Sequence, residues 1–337
     1  MPLSWGPLLL RGKLFKAKDS VINENYMKKI VFLDAASIGE DVSLESVAKL
    51  GELVTYPFTK PEDVFERVKD CDILIINKVV IGKDQIDAAK KLRLICVAAT
   101  GTNNVDIAYA NGKNIPVKNV AGYSTESVAQ VTMSMVLSLS CWLGYYDAKV
   151  KSGEYSHGNL VSDVSRVFTE LSGKRYGIVG LGNIGSRVAS LAKAFGMEVV
   201  YYSTSGKPHS AEYKNVSLDE LMKTCDYISV HAPMNEKTKD LIKYAQLKMM
   251  KPTAFIINLG RGGIINEEDL VRALNENVIA GAGIDVYSKE PIPLASPYLK
   301  IKDNSRVILT PHIGWTSQEA RKCLINKLSE NITSTEN

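Results

Sequence analysis

Three side chains in the C-terminal half of this chain could together handle a carboxylate and a proton. Arg261 lies between glycines in NLGRGGIIN, and a guanidinium is a planar, permanently charged donor that suits a carboxylate. Glu290 in DVYSKEP and His312 in TPHIGW each follow an apolar run typical of a strand. A carboxylate beside an imidazole fixes its tautomer and favours its protonated form, which can protonate a developing alkoxide. The three residues therefore predict reduction of a carbonyl compound that carries a carboxylate.

Each of these residues also has a purely structural explanation when it is taken singly. Arg261 could be a surface arginine in a loop, His312 a core or capping histidine, and Glu290 a solvated turn residue before Pro291. Ligands of open α/β sheets bind at the carboxyl ends of strands. Because the three residues follow successive apolar runs in that way, their joint order favours the catalytic interpretation.

A glycine-rich turn near the middle of the chain predicts a dinucleotide site. In YGIVGLGNIGSRVA, the residues Gly180, Gly182 and Gly185 have G-x-G-x-x-G spacing between an apolar strand and a helical pattern. The first glycine permits the tight turn, the second lets the backbone approach a pyrophosphate, and the third lets helix and strand pack closely. The pyrophosphate would rest on the helix N-terminus, beside Asn183 and Ile184.

The elements that must position these residues form two α/β series. From Met27 the apolar runs KIVFLD, LVTYPF, DILIIN, LICVAA and IPVKNV alternate with helical patterns. After the glycine turn the alternation resumes with MEVVYY, DYISVH, AFIINL, AGAGIDV and RVILT. This rhythm is typical of parallel α/β units. We predict an α/β protein of two Rossmann-like or flavodoxin-like domains, with the nucleotide-binding domain inserted into the other one.

The same pattern predicts the domain bounds. Residues 27–126 plus 317–337 would form the substrate domain, because the terminal helix returns to the first series, and residues 127–316 would form the nucleotide-binding Rossmann domain. Residues 1–26 lack a basic segment before their short apolar stretch and a convincing cleavage site. We therefore predict a disordered leader there rather than a signal peptide.

Composition excludes several classes of protein. The formal charge of +4 is spread along the sequence without a basic block, so nucleic-acid binding is not expected. The histidines and cysteines show no ligand spacing, and we predict no metal site. The five cysteines lie far apart without a CxxC pair, which predicts reduced thiols and a cytoplasmic location.

An uncharged stretch from Ser127 to Tyr146 approaches the length of a membrane span. It contains several serines as well as Gln130 and Thr132, and basic residues do not flank it. We therefore predict a buried helix at a domain or subunit interface rather than a membrane segment. This helix is the surface that we nominate for a homodimer core.

The segments around the three candidate catalytic residues resemble those of the D-isomer-specific 2-hydroxyacid dehydrogenases. The resemblance rests on Arg261 in GRGG, on Asp285 and Glu290 in GIDVYSKEP, and on His312 in TPHIGW, and it extends over nearly everything from Met27 onward. The chain most resembles the glycerate dehydrogenase, or hydroxypyruvate reductase, branch through INKVVI, ATGTNNVD, VKNVAGYST, YYSTSGK and PHIGWTSQEAR. Formate-oxidising relatives carry an amide where Glu290 stands, so the acid favours keto-acid chemistry.

The resemblance implies a role for each part of the site, with the active site in a cleft between the two domains. Arg261 would hold the 2-keto acid, and Glu290 with His312 would supply the proton. The residues implied to bind the cofactor are Gly180, Gly182, Asn183, Ile184, Gly185, Ser203, Thr204, Lys207, His231, Pro233, Thr238, Leu259, Gly260, Asp285 and Gly314, with Asp285 contacting the nicotinamide amide. Those implied to cradle or wall the substrate are Asn77, Lys78, Thr100, Gly101 and Trp315, although Trp315 could equally serve in interface packing.

The chain departs from many NAD-specific members at the end of the second strand of the nucleotide domain. Where they carry an Asp that binds the adenosine ribose, this chain has Ser203 in YYSTSGK. The missing carboxylate removes repulsion toward a 2′-phosphate, and Thr204, Ser205 and Lys207 add hydroxyl donors and one cation. We predict NAD(P) as the cofactor, with both NADH and NADPH accepted.

These observations predict an NAD(P)H-dependent reductase of a small 2-keto acid, hydroxypyruvate or glyoxylate, which yields D-glycerate or glycolate and also catalyses the reverse oxidation. A D-lactate or D-3-phosphoglycerate dehydrogenase is an alternative within the same fold. An alternative from another class is a nucleotide-sensing binding protein that resembles the corepressors sharing this fold.

Overall fold

The computed structural model describes residues 8–10 and 27–336, and they fall into two compact units. Unit 1 comprises the described residues up to Ser124 together with those from Thr316, and unit 2 is Thr125–Trp315. The predicted bounds, 126 and 317, lie within two residues of these divisions at 124 and 316. Apart from Leu8–Leu10, which form a strand, the predicted leader lies outside the described residues.

Unit 1 is a doubly wound sheet with helices. Its elements are β1 (Leu8–Leu10), β2 (Lys29–Phe32), β3 (Glu52–Thr55), β4 (Ile73–Ile76), β5 (Leu94–Val97), β6 (Val117–Asn119), α1 (Glu45–Ala48), α2 (Val64–Val68), α3 (Lys83–Ala88), α4 (Ile107–Gly112) and the chain's last helix, α11 (Gln318–Glu336). The strand order is β1-β3-β2-β4-β5-β6, parallel except for the antiparallel pair β1 and β3. From β3 to β6 this is the flavodoxin-like order, with its switch point between β2 and β4. All residues of β4 and β5 are buried, because a parallel strand covered on both faces requires a continuous apolar run.

Unit 2 has the Rossmann arrangement. Its elements are α5 (Thr125–Ser140), α6 (Leu143–Lys151), β7 (Arg175–Val179), α7 (Asn183–Ala194), β8 (Glu198–Tyr202), β9 (Lys214–Asn215), α8 (Leu218–Thr224), β10 (Tyr227–Val230), α9 (Tyr244–Leu247), β11 (Phe255–Asn258), α10 (Glu267–Asn275), β12 (Gly281–Ile284) and β13 (Val307–Leu309). Short 3-10 helices lie at Ala35–Ile38 and Pro61–Asp63 in unit 1, and at Glu154–His157, Pro297–Lys300 and Asn304–Arg306 in unit 2. The parallel sheet has the order β13-β12-β11-β10-β7-β8-β9, which places the switch point between β7 and β10.

The uncharged stretch is not one continuous helix. α5 ends at Ser140 and α6 begins at Leu143, and Trp142 between them has a φ of 55°, in the left-handed region. The indole N–H of Trp142 donates to the carbonyl of Val167 at 3.1 Å, and its ring meets Phe255 edge-on. Within the described part of the chain no single helix is long and apolar enough to cross a membrane, whereas α5 and α6 pass such a test together with a bend of 63°.

Both units bury cysteine thiols in their cores. Cys71 and Cys96 lie in the core of unit 1 and Cys225 in that of unit 2, and all five cysteines of the chain are unbridged. Burial raises the pKa of each of these three thiols to about 12. Cys141 and Cys323 are only half-buried.

Candidate active site

The glycine turn between β7 and α7 has the geometry that its sequence predicts. Gly180 has a φ of 93°, and a Cβ there would lie 2.9 Å from the backbone nitrogen of Ala232. A Cβ on Gly185 would lie 2.3 Å from the carbonyl oxygen of Gly180, so helix and strand pack as closely as their backbones allow. A Cβ on Gly182 would meet nothing within 4 Å. The first and third glycines are therefore required by packing, and the second leaves open space beside the turn.

The N-terminus of α7 fits a pyrophosphate. The helix begins at Asn183 and Ile184 after an extended Gly182, and no side chain among the described residues caps it. Its first N–H groups and the positive end of the helix dipole are therefore available to an anion. The fit of a dinucleotide rests on this uncapped helix together with the open space at Gly182.

The loop after β10 lies against the glycine turn. The hydroxyl of Thr238 donates to the carbonyl of Pro233 at 2.6 Å and so closes the loop. His231 is hydrogen bonded through Nε2 to Ser229 Oγ at 2.9 Å, and its Nδ1 is buried without a partner among the described residues. Burial lowers the pKa of His231 to about 3, because the charged imidazolium would lose its hydration there. The ring is therefore neutral at physiological pH.

The loop after β8 is closed on itself by Ser203. Its hydroxyl donates to the carbonyl of Lys207 at 2.5 Å and lies 3.1 Å from Ser205 Oγ. Its backbone N–H donates to Asn215 at 3.2 Å, and the side chain is buried. The Ser203 hydroxyl therefore acts here as a donor within the loop and keeps only acceptor capacity for a ligand. Thr204, half-buried, and Lys207, exposed, are on the same loop.

The loop that carries Arg261 is built around Asn258, the last residue of β11. The side-chain oxygen of Asn258 accepts from the N–H of Gly260 at 3.0 Å, and its amide nitrogen donates to the carbonyl of Arg261 at 3.0 Å. One guanidinium nitrogen of Arg261 donates to the carbonyl of Gly260 at 2.8 Å. Among the described residues this guanidinium forms no ion pair, so its remaining donors are available to a carboxylate. Leu259, buried, precedes Gly260 in the loop.

Gly262 brings the arginine loop into contact with the loop that follows β12. A Cβ on Gly262 would lie 1.9 Å from the carbonyl carbon of Tyr287, so only glycine fits. The hydroxyl of Tyr287 donates to the carbonyl of Thr310 at 2.9 Å, on the loop that follows β13. Three successive strand-end loops of unit 2 are thus joined in one cluster.

Glu290 and His312 meet within this cluster, as their sequence positions predict. Oε2 of Glu290 lies 2.6 Å from Nδ1 of His312, and the side chains are 30% and 21% exposed. The other carboxylate oxygen accepts from the N–H of Tyr287 at 3.0 Å. This arrangement places the proton of Nδ1 against the carboxylate and leaves Nε2 to exchange a proton with a ligand.

Asp285 binds the residues on either side of His312, which has a φ of 55°. One oxygen of its buried carboxylate accepts from the hydroxyl of Thr310 at 2.6 Å and from the N–H of Ile313 at 2.7 Å. The other accepts from the N–H of Gly314 at 2.8 Å. Burial raises the pKa of Asp285, and these hydrogen bonds together with the charge of His312 oppose that rise. In this structure Asp285 fixes the histidine loop; its implied contact with a nicotinamide amide stays a prediction.

The residues implied to bind substrate lie mostly in unit 1, at the carboxyl ends of β4 and β5. Asn77 and Lys78 follow β4, and the buried Asp34 accepts hydrogen bonds from both of their backbone N–H groups. Thr100 and Gly101 follow β5; the hydroxyl of Thr100 donates to the carbonyl of Val120 at 3.2 Å. Trp315 is the last residue of unit 2 and is half-buried.

Sequence reasoning does not single out Asn258 or Asp34, although each determines the backbone of a candidate ligand loop. The available signal is the same in both cases: a polar residue ends an otherwise apolar run, as in AFIIN and KIVFLD. Within residues 8–10 and 27–336, no group of three or more His, Cys, Asp or Glu side chains could hold a metal ion.

Comparisons with known proteins agree with this geometry. Residues 133–314 match the model of the D-isomer specific 2-hydroxyacid dehydrogenase, NAD binding domain. A hydroxypyruvate reductase of Blautia hydrogenotrophica is 34% identical over 310 residues, covering 90% of this chain and 95% of the relative. A glyoxylate reductase of Thermococcus litoralis is 35% identical over 289 residues, covering 83% and 86%. The solved structure of D-lactate dehydrogenase from Aquifex aeolicus, complexed with NAD and lactic acid, aligns with a TM-score of 0.79 at 26% identity over 90% of this chain and 94% of that one.

Proposed function

This chain belongs to the D-isomer specific 2-hydroxyacid dehydrogenase family, and we propose that the 2-keto acids it reduces are hydroxypyruvate and glyoxylate, with the reverse oxidation of D-glycerate and glycolate. The observation that carries the proposal is the contact of Glu290 with His312 at 2.6 Å, in a cluster that also contains the loop of Arg261. The printed names of two relatives, hydroxypyruvate reductase and glyoxylate reductase, support the choice of substrates.

Each residue of the cluster has one task in the reaction. The guanidinium of Arg261 binds and orients the keto acid and stabilises negative charge that develops on its oxygen. His312 donates the proton of Nε2 to that oxygen, while Glu290 keeps Nδ1 protonated and offsets the positive charge of the ring. In the oxidation direction His312 accepts the proton from the hydroxyl group.

The glycine turn and the N-terminus of α7 would hold the pyrophosphate of a nicotinamide cofactor, which supplies or accepts the hydride when bound. The role of the chain is to hold that pyrophosphate on backbone N–H groups at Gly182 and Asn183. The neutral ring of His231 adds no charge beside it.

A substrate screen tests this proposal. Purified protein is mixed with NADH or NADPH and with hydroxypyruvate, glyoxylate, pyruvate or phosphohydroxypyruvate, and the loss of reduced-nicotinamide absorbance is followed. We expect the highest kcat/KM with hydroxypyruvate or glyoxylate. A higher kcat/KM with pyruvate or phosphohydroxypyruvate would contradict the proposed substrates and identify that keto acid as the preferred one. Measurable cofactor binding without any turnover would favour a nucleotide-sensing binding protein.

Arg261→Ala provides a second test of the same site. Because the substitution removes charge-assisted donors to the carboxylate, we expect kcat/KM to fall about a hundredfold, mainly through KM. The matched control is Arg272→Ala, which removes an exposed arginine of α10 that pairs with Glu276. The control should leave the kinetics unchanged, and an equal loss in both variants would contradict the assigned role of Arg261.

We also propose that the protein accepts both NADH and NADPH. The Ser203 hydroxyl donates within its loop and can accept from a ribose hydroxyl, which supports NADH. Lys207 offers an exposed cation on the same loop, which supports binding of a 2′-phosphate. Lys207→Ala should therefore raise KM for NADPH severalfold and leave KM for NADH unchanged. An equal change for the two cofactors would remove Lys207 from this role.

We further propose that the protein is a homodimer in the cytoplasm. The unbridged thiols support a reducing compartment. Of the stretch from Ser127 to Tyr146 nominated from sequence, Leu143 is an exposed apolar residue. Further exposed apolar side chains follow it, as at a subunit interface, at Val150, Leu160, Val161, Val164, Val167 and Phe168. Light scattering after gel filtration should give twice the monomer mass for the wild type and a smaller mass for Val161→Asp. The control Leu294→Asp, at another exposed apolar residue, should remain a dimer, and a monomeric wild type would refute this assignment.

A further inference from the structure

Asp34 lies at the switch point of the sheet in unit 1. It lies two residues after the end of β2, and the residues after the neighbouring β4 are Asn77, Lys78 and Val79. In open parallel sheets the chain leaves adjacent strands toward opposite faces at this point, which creates a crevice where ligands bind. A carboxylate at the base of such a crevice can act on ligand-binding residues without touching the ligand.

The carboxylate of Asp34 binds three consecutive backbone N–H groups. One oxygen accepts from Asn77 at 2.8 Å, and the other accepts from Lys78 at 2.6 Å and from Val79 at 3.3 Å. Successive N–H groups that converge in this way form an anion-binding concavity. Here the chain fills that concavity with its own carboxylate, so these N–H groups are occupied when a substrate carboxylate arrives.

Further side chains hold the same turn. The hydroxyl of Ser37 donates to the carbonyl of Asp34 at 2.7 Å and accepts from the side-chain amide of Asn77 at 3.0 Å. The side-chain amide of Asn104 donates to the carbonyls of Asn77 at 3.3 Å and Val79 at 2.9 Å. The turn is therefore held through both its N–H and its carbonyl groups. Asn104 belongs to the segment after β5 that also carries Thr100 and Gly101.

The burial of Asp34 indicates that this carboxylate has a specific purpose. The residue is only 7% exposed, and burial raises its pKa against the effect of the three N–H donors. A buried carboxylate is costly unless its hydrogen bonds are satisfied. A neutral residue could cap a turn at lower cost, so an anion that accepts several bonds at once is favoured where the turn must be held in one conformation.

We propose that Asp34 is a positioning residue for the substrate: it fixes the turn of Asn77, Lys78 and Val79 so that the exposed side chain of Lys78, rather than the backbone of the turn, meets the substrate carboxylate. This inference rests on the proposed keto-acid reduction and on the substrate role that the family resemblance implies for Asn77 and Lys78. It assigns to Asp34 an effect on KM through the geometry of the turn, without contact with the reacting atoms.

The test compares Asp34→Asn with a matched control, Asp72→Asn. Asp72 is also buried in unit 1 and accepts a backbone N–H, that of Lys29 at 2.9 Å, but at the opposite, amino end of the strands. Steady-state kinetics with hydroxypyruvate, cofactor binding by fluorescence and hydrogen exchange at residues 77–79 are measured for both variants. Ser37→Ala, a milder change at the same turn, serves if Asp34→Asn does not fold.

We expect Asp34→Asn to raise KM for hydroxypyruvate about tenfold, because an amide has a single acceptor oxygen and its NH₂ must face the N–H of Asn77 or those of Lys78 and Val79. The value of kcat and the affinity for NADH should change less than about threefold, and exchange at residues 77–79 should accelerate by a factor similar to that for KM. For Ser37→Ala the rise in KM should be about two- to threefold. Asp72→Asn should leave KM and this exchange unchanged, even where it lowers Tm.

An unchanged KM in Asp34→Asn, or an equal rise in Asp72→Asn, would overturn the inference. If the wild-type protein reduces no keto acid, the proposed function fails on its own, and hydrogen exchange still decides whether Asp34 holds the turn. Unchanged exchange at residues 77–79 in Asp34→Asn would refute the holding role independently of activity.

Discussion

Replacement of Glu290 by glutamine tests the proton-donating pair most directly. The substitution keeps the size of the side chain, but it removes the negative charge and one of the two acceptor oxygens that contact Nδ1 of His312 and the N–H of Tyr287. Reduction uses the imidazole as the proton donor, and its Nδ1 lies 2.6 Å from the carboxylate. Without the negative charge this hydrogen bond is weaker, so the variant should reduce keto acids more slowly.

The structure sets the size of this effect. A hydrogen bond to a charged group contributes about 1.5–3 kcal/mol, and the distance is in the charge-assisted range. Because Glu290 and His312 are 30% and 21% exposed, solvent screens part of the attraction, and the lower end, about 1.5–2 kcal/mol, applies. This corresponds to a ten- to thirtyfold fall in kcat/KM, at about 1.4 kcal/mol per factor of ten.

The assay is kcat/KM for hydroxypyruvate at about pH 7. We expect it to fall by this factor in the variant, because an amide makes only a neutral hydrogen bond to Nδ1 of His312. The control is Glu267→Gln, which removes a carboxylate that accepts the N–H of Ser288 on the same loop. No loss in Glu290→Gln, or an equal loss in Glu267→Gln, would refute the coupling of the two groups.

Three further predictions concern unit 2. Asp285→Asn replaces a carboxylate oxygen that accepts from the loop of His312 with an NH₂ donor. Single-turnover hydride transfer should therefore slow about ten- to a hundredfold while cofactor binding persists. An unchanged rate would contradict the role of Asp285 in fixing the loop of His312. Gly262→Ala places a Cβ 1.9 Å from a carbonyl carbon of Tyr287 and should lower kcat/KM at least about a hundredfold, whereas Gly144→Ala, which meets nothing within 4 Å, should not. The pKa of His231, about 3, is below that of about 6.5 in the unfolded chain, so the unfolded state binds more protons between these values and acid destabilises the fold. Urea unfolding at about pH 7 and pH 5 should show that His231→Gln loses about 1–2 kcal/mol less than the wild type on acidification, and an identical loss would contradict the burial effect.

The strand positions and the packing roles of Gly180 and Gly185 are predictable from sequence because their causes are local or periodic. Buried parallel strands such as ILII in β4 read as continuous apolar runs. Gly180 and Gly185 stand where a turn and a close helix contact permit no side chain. The meeting of Glu290 with His312 also follows from position, because neighbouring strands end at the same edge of a sheet.

The remaining features depend on contacts between distant residues. The break of the uncharged helix at Trp142 is one example, because a left-handed conformation is unfavourable for tryptophan by itself and is held by contacts with Val167 and Phe255. The hydrogen bonds that Asp34 and Asp285 accept are further examples of such features. A lone aspartate after an apolar run does not reveal which N–H groups donate to it. The hydrogen bond from the Ser203 hydroxyl to the carbonyl of Lys207 likewise depends on how the loop folds, which the sequence does not show.

The thiols buried in the two cores make the opening of each unit separately measurable. Alkylating reagents attack the thiolate, and with a pKa of about 12 for Cys71, Cys96 and Cys225 fewer than about one thiol in ten thousand is ionised at neutral pH. Modification of these cysteines therefore requires that the surrounding core first open to solvent. The rate at which Cys71 and Cys96 are labelled reports the opening of unit 1, and the rate for Cys225 reports that of unit 2. The buried cysteines thus report the opening rate of each unit separately. A peptide map of the labelled cysteines after a short exposure to the reagent shows which unit opens first.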